Sequence, residues 1–544
     1  MNFDNIKLDK AGSEPLYRQL AEQLKLAVSR GDLSEGEKLP PIRAWKEVLG
    51  ISPVTATQAY EVLSDEGFTT GQVGRGTFVR SLNRKSLAVA EPIQNTLDKY
   101  NPGPAGYTTT TPSASLSEII TYQKFNRSTR VQRFLQGALA RYQSSASSSD
   151  DMIVMSSGGP APELFGVRRW EKAMSQAGES LSKDGILDEG RHQHLQYGSP
   201  LGDLPTREWM AGYLQRFGIN CQADEVLLTT GSQQALDLVA RVFMGPGDMV
   251  LVESPTYVSA LEIFESRGIN WLPVPLDENG LQLDVLERLA ERYHPRLLYT
   301  VPTSQSPTGV TLSAERRVRL LELARRFNFL IIEDDTCNEF YYEAENLPHA
   351  LKHYDAEGRV IYLKSFSKII FPAVRFGLLV AQGTLMEKLA EAKSVFDRST
   401  STPLSRAVLK FVNHSAFETE LREAWKLYRE RRDSLRDNLE QELAGTGCRI
   451  SRCEGGFSML LTLPRGIRAE EFHLEAAEQG VAVLPGPVFY PVPAEAPDNT
   501  VRLSFGDNTP QRLEEAARRL SLALRNLQYR SQRQNRDAGF ITAV

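Results

Sequence analysis

Leu16, Leu20, Leu24 and Val28 recur at helical spacing between Pro15 and Arg30, and the run stops at Gly31. This predicts an amphipathic helix. A second helical pattern runs from Ile42 to Leu49 and stops at Gly50; Ser52-Pro53 opens a third that reaches Glu66. Ser52 suits an N-cap and Pro53 the first helical position, so Leu49-Gly50-Ile51-Ser52 reads as the turn of a helix-turn-helix. After Gly67 the pattern changes. Phe68-Thr69-Thr70 and Thr77-Phe78-Val79, set around Gly71, Gly74 and Gly76, predict a two-stranded wing.

Residues 81–149 interrupt this regularity. Pro102-Gly103-Pro104, the threonines at 108–111 and the serine-rich stretch 144–149 read as linker, while Leu116, Ile119, Ile120, Phe134, Leu135 and Leu139 predict a helical insert within it. Arg127, Arg130, Arg133 and Arg141 read as a solvated face of that insert. From about 150, helical patterns alternate with short apolar runs: 226–228, 249–252, 297–301, 329–332, 360–363 and 377–380. Runs apolar on both faces predict strands buried in an α/β sheet. A long helix around Leu421 to Leu443 leads into a smaller α/β part with strands near 456–461, 481–484 and 501–503. The expected organisation is therefore a domain at 1–80, a connector at 81–149, a large α/β domain at 150–400, a smaller one at 401–530 and a disordered tail at 531–544.

The composition admits several domains with sizeable cores, at 544 residues, 41% hydrophobic and 24% charged. A net charge of −5 argues against a chain coated in nucleic acid over its whole surface but leaves room for a local DNA-reading face. Cys221, Cys337, Cys448 and Cys453 lack metal-ligand spacing and are too few for a disulfide framework, so no metal site and a reducing compartment are expected. The opening MNFDNIKLDK has no hydrophobic signal core, and the longest apolar stretch, Ile369 to Ala381, is short and broken by Arg375. A cytoplasmic protein without a membrane anchor is the expectation.

Tyr362-Leu363-Lys364-Ser365-Phe366-Ser367-Lys368, with Arg375 downstream, puts an amine, two serine hydroxyls and a guanidinium in one strand-to-loop passage. A phosphorylated aldehyde needs that set: an amine for a Schiff base and donors for the phosphate. Pyridoxal 5'-phosphate is the candidate. Thr229-Thr230-Gly231-Ser232-Gln233 follows a strand and opens a helix, whose free N–H groups suit a phosphate. Asp334 ends another strand, where a carboxylate can hold a pyridine nitrogen protonated and make the ring an electron sink. Tyr257, at a further strand end, suits stacking on a flat heterocycle. Each feature alone is commonplace, since loop serines cap helices, strand-end acids solvate turns and tyrosines pack.

The N-terminal segment resembles the winged-helix DNA-binding domain of the GntR regulators, through Glu14-Pro15-Leu16-Tyr17-Arg18-Gln19-Leu20, Gly36-Glu37-Lys38-Leu39-Pro40-Pro41-Ile42-Arg43, Thr55-Ala56-Thr57-Gln58-Ala59-Tyr60 and Gly74-Arg75-Gly76-Thr77-Phe78-Val79. The resemblance implies that Arg43, Thr55, Thr57 and, in the wing, Arg75 face DNA. The arginine common at the start of the recognition helix is replaced by Pro53. In their order along the chain, the cofactor segments resemble the fold-type I aminotransferases. With the winged helix in front, the whole chain resembles the MocR subfamily of GntR regulators.

That resemblance implies a PLP-dependent aminotransferase fold, with Lys368 as the Schiff-base lysine and Ser365, Arg375, Gly231, Ser232 and Gln233 as phosphate ligands. By the same likeness Asp334 meets the ring nitrogen, Tyr257 stacks on the ring, and Tyr197 approaches the phosphate of a partner subunit in a homodimer. Arg502 becomes the α-carboxylate clamp of an amino-acid ligand. Two positions depart from the pattern: Ser306, before Pro307-Thr308-Gly309, stands for the asparagine at the ring's 3-hydroxyl, and Cys337 falls where a tyrosine is expected after Asp334. Lys364 also replaces a small residue. The implied function is a DNA-binding transcription regulator that senses an amino acid, an amine or the cofactor itself. The competing reading is an active aminotransferase acting on an amino acid and a 2-oxo acid; the altered ring contacts imply slow or half transamination at most.

Overall fold

Helix α1 (Leu16–Arg30) buries Leu20 and Leu24 of the expected stripe, together with Ala21 and Ala27, and leaves Leu16 and Val28 half-buried; it packs against α3 (Pro53–Asp65). Between them α2 (Ala44–Leu49) contributes Trp45, fully buried, whose indole N–H donates to Tyr60 Oη at 2.8 Å. Strands β1 (Thr69–Gln72) and β2 (Gly76–Val79) pair antiparallel as the wing. One feature of the wing escaped the hydrophobic pattern. The segment around Lys38 bridges to Phe78, with Val79 N donating to Glu37 O at 2.9 Å, so the wing carries a third edge. The chain before α2 thereby covers β2, the open edge of a bare hairpin.

The computed structural model describes residues 15–30, 36–42, 44–65, 68–72, 76–79, 152–184, 196–343, 347–492 and 495–541, together with Ile6, Leu8 and Leu33. Arg43, Arg75 and the helical insert expected within 81–149 lie outside them.

The second unit, in the C-terminal part of the chain, holds three layers around a mixed sheet. Its strands are β4 (Val226–Thr229), β5 (Met249–Ser254), β6 (Asn270–Asp277), β7 (Gly280–Leu281), β8 (Leu297–Thr300), β9 (Leu330–Asp335), β10 (Val360–Ser365) and β11 (Gly377–Val380), in the order β4-β11-β10-β9-β8-β5-β6-β7. The neighbours from β10 to β6 are parallel, while β11 runs antiparallel to both β10 and β4. Every residue of β4, β8, β10 and β11 is buried, as apolar runs between two helical layers require. Helix α4 (Ser232–Phe243) leaves the end of β4.

The long α5 (Phe417–Glu442) leads to the smaller antiparallel sheet of β12 (Arg449–Ile450), β13 (Ser458–Thr462), β15 (Leu484–Pro485) and β16 (Thr500–Ser504). The strand expected at 481–484 is in fact two. Its first half, β14 (Val481–Ala482), pairs parallel with β3 (Ile153–Val154) and ties the start of this unit to its smaller half; the second half is β15. Helices α6 (Ala469–Glu478) and α7 (Pro510–Ile541) pack together beside this sheet. The tail expected to be disordered from 531 is instead helical through Ile541: Gln532, Arg533, Gln534, Arg536 and Ala538 are good helix formers, and no Pro or Gly interrupts the stretch before Gly539. Among the described residues no helix is long and apolar enough to cross a membrane, and no cluster of His, Cys, Asp or Glu could hold a metal ion.

Candidate functional site

The carboxyl ends of β4, β5, β8, β9 and β10 open onto one cavity of about 310 Å³. Parallel strands release their connecting loops on the same side, so residues far apart in sequence converge there. Ser232, Gln233, Tyr257, Ser306, Asp334, Ser365, Lys368 and Arg375 all line it, and Arg502 closes it from β16.

Lys368 sits just beyond β10 and donates from Nζ to Gly158 O at 2.7 Å. Burial pushes its pKa below the ordinary lysine range; Cys337 opposes the shift and Arg502 adds to it. An amine so placed loses its proton more easily, which a nucleophile needs. Asp334, next to last in β9, accepts from Tyr299 Oη through Oδ2 at 2.7 Å. Its Oδ1 is buried and has no partner among the described residues, and burial raises the carboxyl to about 6. A protonated ring nitrogen is the donor that such an orphan acceptor lacks.

Gly231 caps α4 at φ +99°, and a Cβ there would stand 2.9 Å from Arg375 Nη2. Glycine thus lets the helix end and the guanidinium share one small cradle. Among the described residues Arg375 donates to Ser367 Oγ at 3.4 Å and Thr230 O at 3.3 Å, and Ser365 Oγ accepts from Ser367 N at 3.3 Å. Ser365, Ser367 and Arg375 line the cavity together with Ser232 and Gln233. Arg502, 8% exposed, donates to Ser156 O, while its Nε has no partner among the described residues. Burial lowers its pKa to about 10, against Asp507 and Tyr257. A desolvated guanidinium with an unfilled donor suits a carboxylate.

Ser306 and Cys337, the two departures, face this same cavity. Burial pushes the Cys337 thiol up to about 11, with Lys368 opposing, so it is a neutral thiol at physiological pH. Glu253, which the sequence reading passed over, braces the loop that carries Ser306: it accepts from Val301 N at 3.0 Å and Gln305 Nε2 at 2.9 Å, and Gln305 Oε1 accepts from Thr308 N at 3.1 Å. Tyr299 was passed over as well; a polar hydroxyl inside an apolar strand was the available signal. Tyr197 lies outside the cavity at 82% exposure, with the Arg398 guanidinium 5.3 Å from its ring centre.

In the winged unit, Ser52 Oγ accepts from Thr55 N at 3.1 Å and lies 2.8 Å from Thr55 Oγ1, and Thr57 Oγ1 donates to Pro53 O at 2.9 Å. Both threonines are half-buried, their hydroxyls engaged with the first turn of α3.

Residues 151–520 match the model for aminotransferases of class I and II. The chain belongs to the class I and II aminotransferase family. Residues 16–79 match the bacterial regulatory proteins of the gntR family, which makes this aminotransferase-family chain a GntR-type regulator fusion. The aromatic-amino-acid aminotransferase 1 of Thermococcus litoralis is 36% identical over 69% of the chain and 88% of its own length. The probable rhizopine catabolism regulatory protein MocR of Rhizobium meliloti is 27% identical over 88% of both chains, and therefore shares both parts. Among solved structures, the Pyrococcus horikoshii kynurenine aminotransferase in complex with PMP superposes with a TM-score of 0.66 at 33% identity, over 74% of this chain and 95% of that one. The family works with pyridoxal 5'-phosphate, and the orphan Asp334 oxygen, the Gly231 cradle and the buried Lys368 amine fit that group.

Proposed function

We propose that this chain is a transcription regulator that holds pyridoxal 5'-phosphate at Lys368, senses an amino acid or amine there, and binds a double-stranded operator through its winged helix. The observation that supports the proposal is one chain carrying both a GntR-type unit and a cavity lined by Lys368, Asp334, Arg375 and Arg502, with Ser306 and Cys337 at the two departures. When bound, the cofactor supplies an electron sink for charge developing at an amino acid's α-carbon. Lys368 anchors its aldehyde, and Asp334 keeps its ring nitrogen protonated. Arg375, Ser365, Ser232, Gln233 and the Gly231 turn hold the phosphate. Arg502 orients the ligand by its carboxylate. Ser306 and Cys337, shorter than the asparagine and tyrosine they stand for, leave the ring's 3-hydroxyl with weaker support, which favours binding over turnover.

Tyr197 at 82%, Val395 at 89% and Phe396 at 45% are exposed large apolar side chains on the lone subunit, and their exposure supports a homodimer in which Tyr197 reaches the partner's phosphate site. Arg43 and Arg75 take phosphate or groove contacts, and Thr55 and Thr57 place the recognition helix. A regulator of this kind works in the cytoplasm, beside the DNA. The enzyme reading keeps one argument, the 36% identity to an aminotransferase.

The test is borohydride reduction of the purified protein followed by peptide mapping. The expected label sits on Lys368, and the protein is yellow before reduction. A Lys368→Ala variant that still yields a reducible lysine adduct overturns the assignment. For the DNA arm, affinity for the upstream region falls steeply as salt rises. Unchanged affinity in Arg43→Ala with Arg75→Ala rejects the winged-helix surface.

A further inference from the structure

Helix α3 has two unlike faces. Ala56, Ala59, Tyr60 and Leu63, all at 7% exposure or less, lock it to the core of the winged unit. Val54, at 67% exposure, Gln58 and Glu61 stand on the opposite face, one turn apart from each other. The polar side chains nearest the start of the helix are already engaged: Thr55 with Ser52, and Thr57 with the Pro53 carbonyl. Pro53 itself offers no side-chain donor. Gln58 is the remaining amide in the first two turns, and it makes no hydrogen bond to any described residue.

We propose that Val54 and Gln58 are the base-reading pair of this chain, Gln58 recognising an adenine and Val54 the methyl group of a neighbouring thymine. The inference rests on the DNA-binding function proposed above and adds what the helix reads. A glutamine amide presents one donor and one acceptor side by side, the complement of adenine N7 and N6 in the major groove. Val54 is apolar and precedes Gln58 by one turn, so the two side chains lie next to each other on one face. Thymine is the base that offers an apolar group in that groove. Glu61, a turn further along, repels phosphates and keeps the second half of the helix from settling on the backbone. The N-terminal turns are then the ones that enter the groove, as recognition helices do. Each half-site read by one subunit therefore carries adjacent A·T pairs.

The experiment selects duplexes from a random pool with the full-length protein and compares native, Gln58→Ala and Val54→Ser chains. Native protein enriches half-sites containing adjacent A·T pairs, and changing the adenine weakens binding roughly 5- to 150-fold. Gln58→Ala flattens the preference at that position and leaves the others intact. Replacing the thymine by deoxyuridine, which lacks the methyl group, weakens the native protein but not Val54→Ser. Both side chains are exposed, and thermal melting matched to native verifies that the variants fold. Full base preference retained in Gln58→Ala, or equal sensitivity of native and Val54→Ser to deoxyuridine, overturns the inference alone. A native protein that enriches no duplex overturns the DNA-binding function and this inference with it.

Discussion

At the scale of single residues, Asp334 carries a consequence for stability. Burial holds its carboxyl at about 6, against an ordinary 3.8. The folded chain then binds this proton more tightly than the unfolded one, so the stabilisation is full below a pH of about 4 and is lost as pH rises through about 6. The loss is at most roughly 3 kcal/mol for a two-unit shift. Glu253 and Glu333, both raised to about 7 by burial, change stability in the same direction in native and variant chains. The difference between cofactor-free native protein and Asp334→Asn therefore reports Asp334 together with the part of the Glu253 shift that the Asp334 charge contributes. Urea unfolding at pH 4 and pH 8 is expected to show the native chain losing more stability than the variant over that interval. Equal losses would remove the buried, orphaned carboxyl from the account. The variant is also expected to bind the cofactor more weakly. Asp334 was legible because it stands near the end of an apolar strand, whereas its partner Tyr299 lies 35 residues upstream and meets it only once β8 and β9 pair.

At the scale of elements, the parallel strands were legible since full burial writes itself as an unbroken apolar run, and the split of 481–484 was not, because two successive pairs look like one strand locally. Lys364 shows the same limit within β10. In sequence it is a charged residue in an apolar strand where the resembled family has a small one. In the fold it pairs with Glu339 at 2.6 Å, both side chains at most 1% exposed, and Tyr213 Oη donates to the same carboxylate at 2.7 Å. Burial opposes the ammonium charge, but Asp335 and Glu339 together outweigh it and raise the lysine pKa. The pair joins β10 to the turn that follows β9, directly behind Asp334 and Cys337. Removing one member leaves a buried charge unpaired, which costs about 3–5 kcal/mol. Lys364→Met is expected to lose that much in chemical denaturation, and Lys364→Met with Glu339→Gln to recover the part owed to Glu339, with Asp335 still lacking the lysine. A double variant no more stable than the single one would mean that the lysine stem, rather than its charge, holds the two strands.

At the scale of the whole molecule, the helix-turn-helix and the cofactor loops were legible because turn and strand-end residues are local in sequence. What the cavity senses is not written locally, and it is tested by linkage. If an amino acid at Arg502 changes affinity for the operator by some factor, bound operator must change affinity for the amino acid by the same factor. That factor is expected to fall between roughly 5 and 150. Two titrations measure it independently: operator affinity with and without saturating amino acid, and the cofactor's absorption change on adding amino acid with and without operator. Alongside them, multiple-turnover transamination is measured over a panel of amino acids and oxo acids. Native protein is expected to turn over far below roughly 10 per second, a common enzymatic rate, with Cys337→Tyr faster than native. A factor near one in both titrations, together with turnover at that rate in the native chain, would make the aminotransferase the working part and the winged helix incidental. Reciprocal factors with slow turnover identify a sensor whose ligand site trades catalysis for control of DNA binding.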